Sequence, residues 1–577
     1  MDDLKEGLID AFGDAVASDH NLMQQCISLC HSYDLTPKDL QYKWEARNFN
    51  KSSFSLPPPF NMDSIAAVKS QILRELKESA KRTQRARPNQ QIFSANLHKP
   101  RFTANSVKSA PTRIKAETGD VDMTGSVAVS FRGPSTDETS KKRRAYRYMY
   151  EKILERSEVL DDRIDELAEL VRDHYNISDL GDPSASTDGD TTVVGRITQD
   201  NDAATSKLND MTMWLESSRM LGSGSRIPLR FDPLVKIRGI AKGAGGIGFF
   251  PGAIAAFKGK NGGGGWFQVT EILGLPPPRP TPALGSSRSK IDSDMAGVAY
   301  TMSIACGPYT LDSDTLYKPR EHLFEQLKST KPDVVLLMGP FVDSSHPRIK
   351  LGDSDFPPTT TYEARFLNPL KSFLESCPES IVLLLPSVRD ILSDHAVYPQ
   401  SEYPESLTGG HPRIRLLPNP ARFTINGVTF AATSVDVLFH LKREEFIKRG
   451  EEMDPIPPTS ASDTGTEVMA NLCRHLLQQR SFYPLFPVPT DVSHEVNLDV
   501  SHSDGLRLCD ADHNQHAPDV LIVPSKLKEF SKMVHSTHAI NPSYINKMRY
   551  ATLHAASGEM PARDRISVTL AKFESGA

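Results

Sequence analysis

The spacing of hydrophobic positions changes several times along the chain, and each change marks a different kind of element. Near the start, Leu4, Leu8, Phe12 and then Leu22, Cys26, Ile27 and Cys30 recur at intervals of three and four, the period of a helix that buries one face. Thr36-Pro37-Lys38-Asp39 adds a helix start, with Thr as N-cap, Pro at the first helical position and an acid near the positive end of the dipole. Ile65, Val68, Ile72, Leu73 and Leu76 supply another stripe, so residues 1–78 read as a small all-α N-terminal domain. Cys26 and Cys30 share a helix face, but no nearby His or Cys pair completes a tetrahedral metal site. They read as core.

From 79 to 140 large apolar residues thin out, leaving too little to offset the entropy of ordering. This stretch reads as a disordered tether. It is basic, because 15 basic and 6 acidic residues lie between Lys77 and Arg144. Lys141-Lys142-Arg143-Arg144 has the composition of a nuclear localisation signal, and equally of a solvated helix start. Met149, Ile153, Leu160, Ile164, Leu167 and Val171 place one long amphipathic helix over 141–176, its stripe turned toward its own domain. A polar linker follows at 177–189.

Between 190 and 285 the texture shifts to short strand-like pieces, TVVGRIT, MTMWLES, RIPLRF, VKIRGI, AIAAFKGK and WFQVTEI, separated by Gly-rich turns. Such a series predicts a small antiparallel barrel of the oligonucleotide-binding (OB) type. Its aromatics Trp214, Phe231, Phe257, Trp266 and Phe267 fit the core better than a stacking platform. Gly243-Ala-Gly245-Gly-Ile-Gly248 matches G-x-G-x-x-G, but Phe249-Phe250-Pro251-Gly252 follows where a nucleotide site needs a helix. It reads as a barrel loop. The Pro/Ser-rich run 276–294 reads as an exposed linker, with Thr281-Pro282 open to proline-directed phosphorylation.

Over 295–577 continuous apolar runs (AYTMSIACG, DVVLLMG, SIVLLLPS) alternate with amphipathic segments, the signature of an α/β layered domain with a mostly parallel sheet. RIRLLPN, TFAATSV and DVLIVPS fit the same sheet or a facing one. Leu351-Gly352-Asp353 and Gly409-Gly410-His411 carry fragments of metal-ligand motifs, yet each sits in a polar stretch and reads as loop.

The 577 residues carry a formal charge of −5, which disfavours tight non-specific nucleic-acid binding by the whole protein and leaves weak DNA contact to the basic tether. Six scattered cysteines with no C-x-x-C pair, and an acidic start, point to a reduced intracellular setting. No run approaches the roughly 20 apolar residues that span a bilayer. No membrane association is expected.

Residues 333–346, DVVLLMGPFVDSSH, resemble the strand and turn of a calcineurin-like phosphoesterase in which the metal-binding Asp of Gly-Asp is replaced by Pro340. With Ala305-Cys306-Gly307-Pro308-Tyr309, Pro386-Ser387-Val388-Arg389-Asp390, Val397-Tyr398-Pro399, Gln479-Arg480-Ser481-Phe482-Tyr483-Pro484, Pro518 to Ser525 and Ile540-Asn541-Pro542 in order, the chain resembles the B (second, accessory) subunit of eukaryotic DNA polymerase alpha–primase. The B subunits of polymerases delta and epsilon are the nearest alternative.

The resemblance implies a multidomain protein: helical N-terminal domain, OB barrel at 190–285 and an inactivated phosphoesterase domain at 295–577. Phosphoesterase ligands are replaced by Ala305, Cys306 and Gly307, by Gly339-Pro340, and by Ser387-Val388-Arg389-Asp390. Asp343, His346, Asp390 and His440 remain nearby as polar residues, an incomplete set for two cations. It therefore implies a non-catalytic nuclear scaffold without metal or cofactor. Expected partners are the catalytic subunit's C-terminal zinc-bearing domain, the primase subunits, and replication factors at the N-terminal helices. An active metal-dependent phosphoesterase is the remaining alternative.

Overall fold

The computed structural model describes residues 129–145, 152–199, 207–281 and 297–573, apart from breaks at 354–355, 394–395, 459–464, 510–515 and 559, together with scattered positions between Leu8 and Ser64. Residues up to Gly119 form one compact unit, and Asp120 onward a second. In the first unit Leu8, Val16, Leu22, Cys26, Cys30 and Leu40 bury together. The stripe from Ile65 to Leu76 and tether residues 79–128 lie outside the described residues.

The tether's last part departs from the expectation of disorder. Val129 is buried, and Phe131–Arg132 (β1) pairs with Ile425 and Thr424 of the large domain. Phe131 also packs its ring against Phe423, at 6.2 Å between centroids.

The expected single helix over 141–176 is likewise corrected. A first helix, Glu138–Arg144 (α1), is capped by the Asp137 side chain accepting from Ser140 N–H and stops at Ala145. A second, Ile153–Tyr175 (α2), starts after extended Lys152. Ile164, Leu167, Ala168 and Val171 of α2 bury against Val194, Ile254, Ala256 and Leu273 of the barrel. The segment 177–189 is no free linker: Gly181 N–H donates to Thr192 O at 2.8 Å and Thr187 N–H to Asn261 O at 2.9 Å.

The barrel is built from five strands, Thr191–Gln199 (β2), Met213–Glu216 (β3), Arg226–Arg238 (β4), Ile254–Lys260 (β6) and Phe267–Leu273 (β7), with Gly246–Phe249 (β5) inserted between β4 and β6 in sequence. β4 runs straight through Asp232-Pro233, where a turn between RIPLRF and VKIRGI was expected. A bulge between Phe231 and Lys236 takes up the irregularity, and the β4–β7 ladder closes the barrel. β5 stands outside this sheet and pairs antiparallel with a strand of the following domain.

That domain stacks two six-stranded mixed sheets. Tyr300–Cys306 (β8), Val334–Met338 (β9), Ile381–Leu385 (β10) and Ile414–Leu416 (β11) run parallel in the first. Ala421–Ile425 (β12), Val428–Ala432 (β13), Val520–Ile522 (β16), Phe530–Val534 (β17) and Thr537–Asn541 (β18) join β1 in the second, while Arg549–Ala555 (β19), antiparallel to β8, and Ile566–Lys572 (β20), antiparallel to β19, complete the first. Phe446–Arg449 (β14) and Glu451–Met453 (β15) pair with β5 and β4.

Alternation explains the apolar runs. Val334, Leu336 and Met338 face the second sheet, while Val335 and Leu337 face helices carrying Leu323, Leu327, Leu370 and Phe373. Both faces are buried, so no polar position interrupts β9. Ala431, Leu521 and Ala539, on the other face of the second sheet, share one core with helices Val437–Glu444 (α3) and Val468–Gln478 (α4) and with the barrel interior. Residues 276–281, read as exposed linker, are fixed: Thr281 Oγ1 donates to Ala517 O at 3.0 Å and Ala517 N–H to Arg279 O at 2.8 Å. The Thr281 hydroxyl is thereby engaged.

Candidate functional site

All the sequence-predicted phosphoesterase-site residues but His440 lie where the chain leaves β8, β9 and β10. Ala305 and Cys306 end β8, and Gly307 turns the chain directly against the turn after β9. A Cβ placed on Gly307 would lie 2.1 Å from Pro340 O, and one on Gly339 would lie 2.6 Å from an Asp390 carboxylate oxygen. These turns touch. Two catalytic cations sit about 3.5–4 Å apart with oxygen or nitrogen ligands around each, and neither Gly307 nor Gly339-Pro340 offers a side-chain ligand here.

Asp390 is fully engaged in holding that turn. Its carboxylate accepts from Phe341 N–H at 2.7 Å, Val342 N–H at 2.9 Å and the Tyr403 hydroxyl at 2.5 Å. Burial pushes the Asp390 carboxyl up to about 7, against the pull of these donors. Beneath the turn the rings of Tyr309, Phe341, Phe366 and Tyr362 pack together, with Tyr309 and Phe341 stacked at 5.4 Å and Phe341 tilted against Phe366 at 4.5 Å.

The other polar residues have separate partners. The Arg389 guanidinium pairs with Asp343 through Nη2 and Nε. The Asp343 carboxylate is therefore already paired with a cation. His346 caps the short helix Pro347–Lys350, Nδ1 accepting from Arg348 N–H at 3.3 Å, while Nε2 lies 2.9 Å from Leu311 O. His440 lies elsewhere, on α3, with Nδ1 3.0 Å from the Tyr483 hydroxyl and Nε2 3.5 Å from Glu495. Cys306 is buried, and burial pushes its thiol well above the ordinary range. Among the described residues no group of three or more His, Cys, Asp or Glu is arranged to hold a metal.

Two residues that sequence reading missed complete the arrangement. Tyr403 supplies the hydroxyl to Asp390 from a loop 13 residues on, and nothing local signals it. Asp436 caps α3, accepting from Phe439 N–H at 3.1 Å and from Lys526 N–H at 2.7 Å. Its position just before VLFHLK was the readable signal. Burial pushes its carboxyl up.

The glycine-rich motif has a structural occupant. Gly243 and Gly245, both at positive φ, direct their N–H groups to the Glu452 carboxylate at 3.2 and 2.6 Å, a backbone nest filled by the chain's own anion. Gly248 lies under the Glu445–His475 pair, where a Cβ would come within 2.4 Å of Glu445. Gly352 and His411 lie in turns. Of the basic run, Arg144 makes a two-point pair with Glu402 at 2.7 and 2.9 Å and Lys141 pairs with Glu405 at 2.8 Å, leaving Lys142 and Arg143 exposed.

Barrel and two-sheet domain together define a multidomain protein with an OB-type barrel, and the comparisons give its family. Residues 302–532 match the family of DNA polymerase alpha/epsilon B subunits, and residues 157–275 match the OB domain of the DNA polymerase alpha B subunit. Over 565 residues, 92% of each chain, the sequence is 30% identical to the DNA polymerase alpha B subunit of Schizosaccharomyces pombe. It is 29% identical to the Saccharomyces cerevisiae protein of that name over 70% of this chain and 58% of the relative, and 28% identical to the Bos taurus protein over 67% and 57%. The chain belongs to the family of DNA polymerase alpha B subunits.

Proposed function

We propose that this chain is the accessory, non-catalytic subunit of a DNA polymerase alpha–primase complex, working in the nucleus to support primer synthesis when replication starts. One observation carries the non-catalytic part: the Gly307 and Gly339-Pro340 turns pack on each other, and the Asp390 carboxylate is spent on Phe341, Val342 and Tyr403. On this reading the two-sheet domain is a phosphoesterase fold whose pocket has closed, with no metal or cofactor. Its surface then serves binding. The partner is the catalytic subunit's C-terminal zinc-bearing domain, held jointly by barrel and two-sheet domain over an interface of obligate size, above about 2,000 Å². Primase subunits join the same assembly, and the N-terminal helices take other replication factors.

The experiment is a pull-down of the full chain on the immobilised C-terminal domains of the alpha, delta and epsilon catalytic subunits. Retention on alpha alone supports the proposal. Retention on delta or epsilon instead assigns the chain to a sister complex, and retention on none overturns the scaffold reading. The phosphoesterase alternative is tested with manganese and an aryl phosphate, where no turnover is expected.

A further inference from the structure

Between Gly133 and Arg143 the chain runs from one anchor to another. β1 fixes Phe131 and Arg132 to β12 at one end, and at the other the Arg144 guanidinium holds Glu402 through Nε at 2.9 Å and Nη2 at 2.7 Å. Ser135, Thr136 and Asp137 lie between these anchors, exposed and ahead of α1. The Ser135 hydroxyl donates to the Asp137 carboxylate, and Ser135 O accepts from Arg144 Nη2 at 2.8 Å. Arg144 thus touches Glu402 and the Ser135 backbone at once, while its Nη1 has no partner among the described residues.

A cavity of about 350 Å³ opens beside this segment. Pro134 and Arg144 line it together with Arg422, Phe482 and Arg507 of the two-sheet domain. Asp504 is the one carboxylate among the described residues that line it, with its side chain 97% exposed and 3.5 Å from Arg507. Arg507 also pairs with Glu166 at 2.9 Å, and Arg422 donates to Cys509 O at 2.8 Å.

The sequence around Ser135 carries a charge pattern that a kinase can read. Asp137 and Glu138 follow at its second and third positions, and kinases that select acidic substrates recognise carboxylates there through a basic cleft. Thr136 has Thr139 at its third position, Thr139 has Lys142 and Ser140 has Arg143. Of these four hydroxyls, Ser135 alone fits.

We propose that Ser135 is a phosphorylation site for an acid-directed serine kinase, and that its phosphate is held by Arg144 at the mouth of this cavity, fastening the segment to the two-sheet domain. In the transfer, Ser135 Oγ bonds to the γ-phosphorus of the kinase's nucleoside triphosphate and the bond from that phosphorus to the β,γ-bridging oxygen breaks. The nucleoside diphosphate leaves, and the hydroxyl proton passes to the kinase's base. Phosphorylation removes the donor that bonds Asp137 and sets a charge of about −1.5 to −2 beside that carboxylate. Repulsion turns the side chain away from Asp137 and toward Arg144, whose Nη1 is open to a charge-assisted hydrogen bond and whose cavity carries Arg422 and Arg507 as well.

The test treats the full chain with casein kinase 2, ATP and magnesium, maps the phosphates by tandem mass spectrometry, and follows tryptic cleavage after Lys141, Lys142 and Arg143. Phosphate at Ser135 is expected, falling about 10-fold in Glu138→Gln, which removes the carboxylate at the third position. The phosphorylated chain should be cut about 10-fold more slowly, the effect of one added charge-assisted hydrogen bond on local opening. In Arg144→Ala the phosphorylated and unphosphorylated chains should be cut at the same rate. Other sites taking phosphate while Ser135 does not, or equal labelling of Ser135 in Glu138→Gln, would overturn the assignment of the site. Unchanged or faster cleavage of the Ser135-phosphorylated chain, or slowing that persists in Arg144→Ala, would overturn the role given to Arg144.

Discussion

The side-chain amide of Gln479 replaces a strand neighbour for Ile254: Nε2 donates to Ile254 O at 2.9 Å and Oε1 accepts from Ile254 N–H at 3.1 Å. Ile254 begins β6 of the barrel, and Gln479 is the C-cap of α4 in the two-sheet domain. Arg480 extends the link by donating to Pro276 O at 2.9 Å, and Phe486 N–H donates to Pro251 O at 3.0 Å. With the shared core, these bonds make barrel and two-sheet domain one body.

Gln479→Ala leaves both backbone groups of Ile254 buried without partners, and each such loss costs about 1–3 kcal/mol. Stability should fall by about 2–6 kcal/mol in urea titration. Gln479→Glu should be equally damaging, because a carboxylate cannot donate to Ile254 O. A variant within about 0.5 kcal/mol of wild type would show that the amide is dispensable.

Gly307→Ala places a methyl group 2.1 Å from Pro340 O, a backbone atom that cannot swing aside. Overpacking of this kind costs about 1–3 kcal/mol. The urea midpoint should drop by that amount, with an unchanged slope. An unchanged midpoint would mean that the turns have room between them.

Asp390 gives the domain a pH signature. Its carboxyl is raised to about 7 in the folded chain, above the ordinary carboxylate value. The contribution it makes to stability is therefore complete at acid pH below its unfolded pKa and is lost as pH rises through about 7. Asp436, also raised by burial, acts in the same direction. Between about pH 4 and pH 7, wild-type stability should decline by up to about 1.4 kcal/mol per pH unit for this proton and level off above. Asp390→Asn should lose that slope, read from urea midpoints across pH. The same slope in both proteins would contradict the raised value.

The Arg144–Glu402 pair holds the end of the tether to the two-sheet domain. Arg144→Ala should cost about 1 kcal/mol locally and speed tryptic cleavage after Lys141, Lys142 and Arg143. Unchanged cleavage would show that β1 alone secures the segment.

Much of the fold was legible because its signals are local. β9 and β10 are buried on both faces, so their apolar runs stand out, and the barrel strands alternate cleanly between Gly-rich turns. β1 was not legible: two residues in a polar, basic stretch gain their place only by pairing with Ile425 and Thr424, far away in sequence. The same holds for the continuity of β4 through Asp232-Pro233, where local turn chemistry was overridden by ladders on both sides. At the site, Pro340 and Arg389 were visible as wrong residue types for metal ligation. The positive use of Asp390 was hidden, since it depends on Tyr403 and on backbone N–H groups that only the folded turn presents.

The most direct test is size-exclusion chromatography of the full chain co-expressed with the C-terminal domain of the DNA polymerase alpha catalytic subunit, run in buffer containing a divalent-metal chelator. A single stoichiometric peak that survives chelation is the predicted result. Separate elution of the two chains, or divalent metal retained by this chain with phosphoesterase activity on its return to metal buffer, would contradict it.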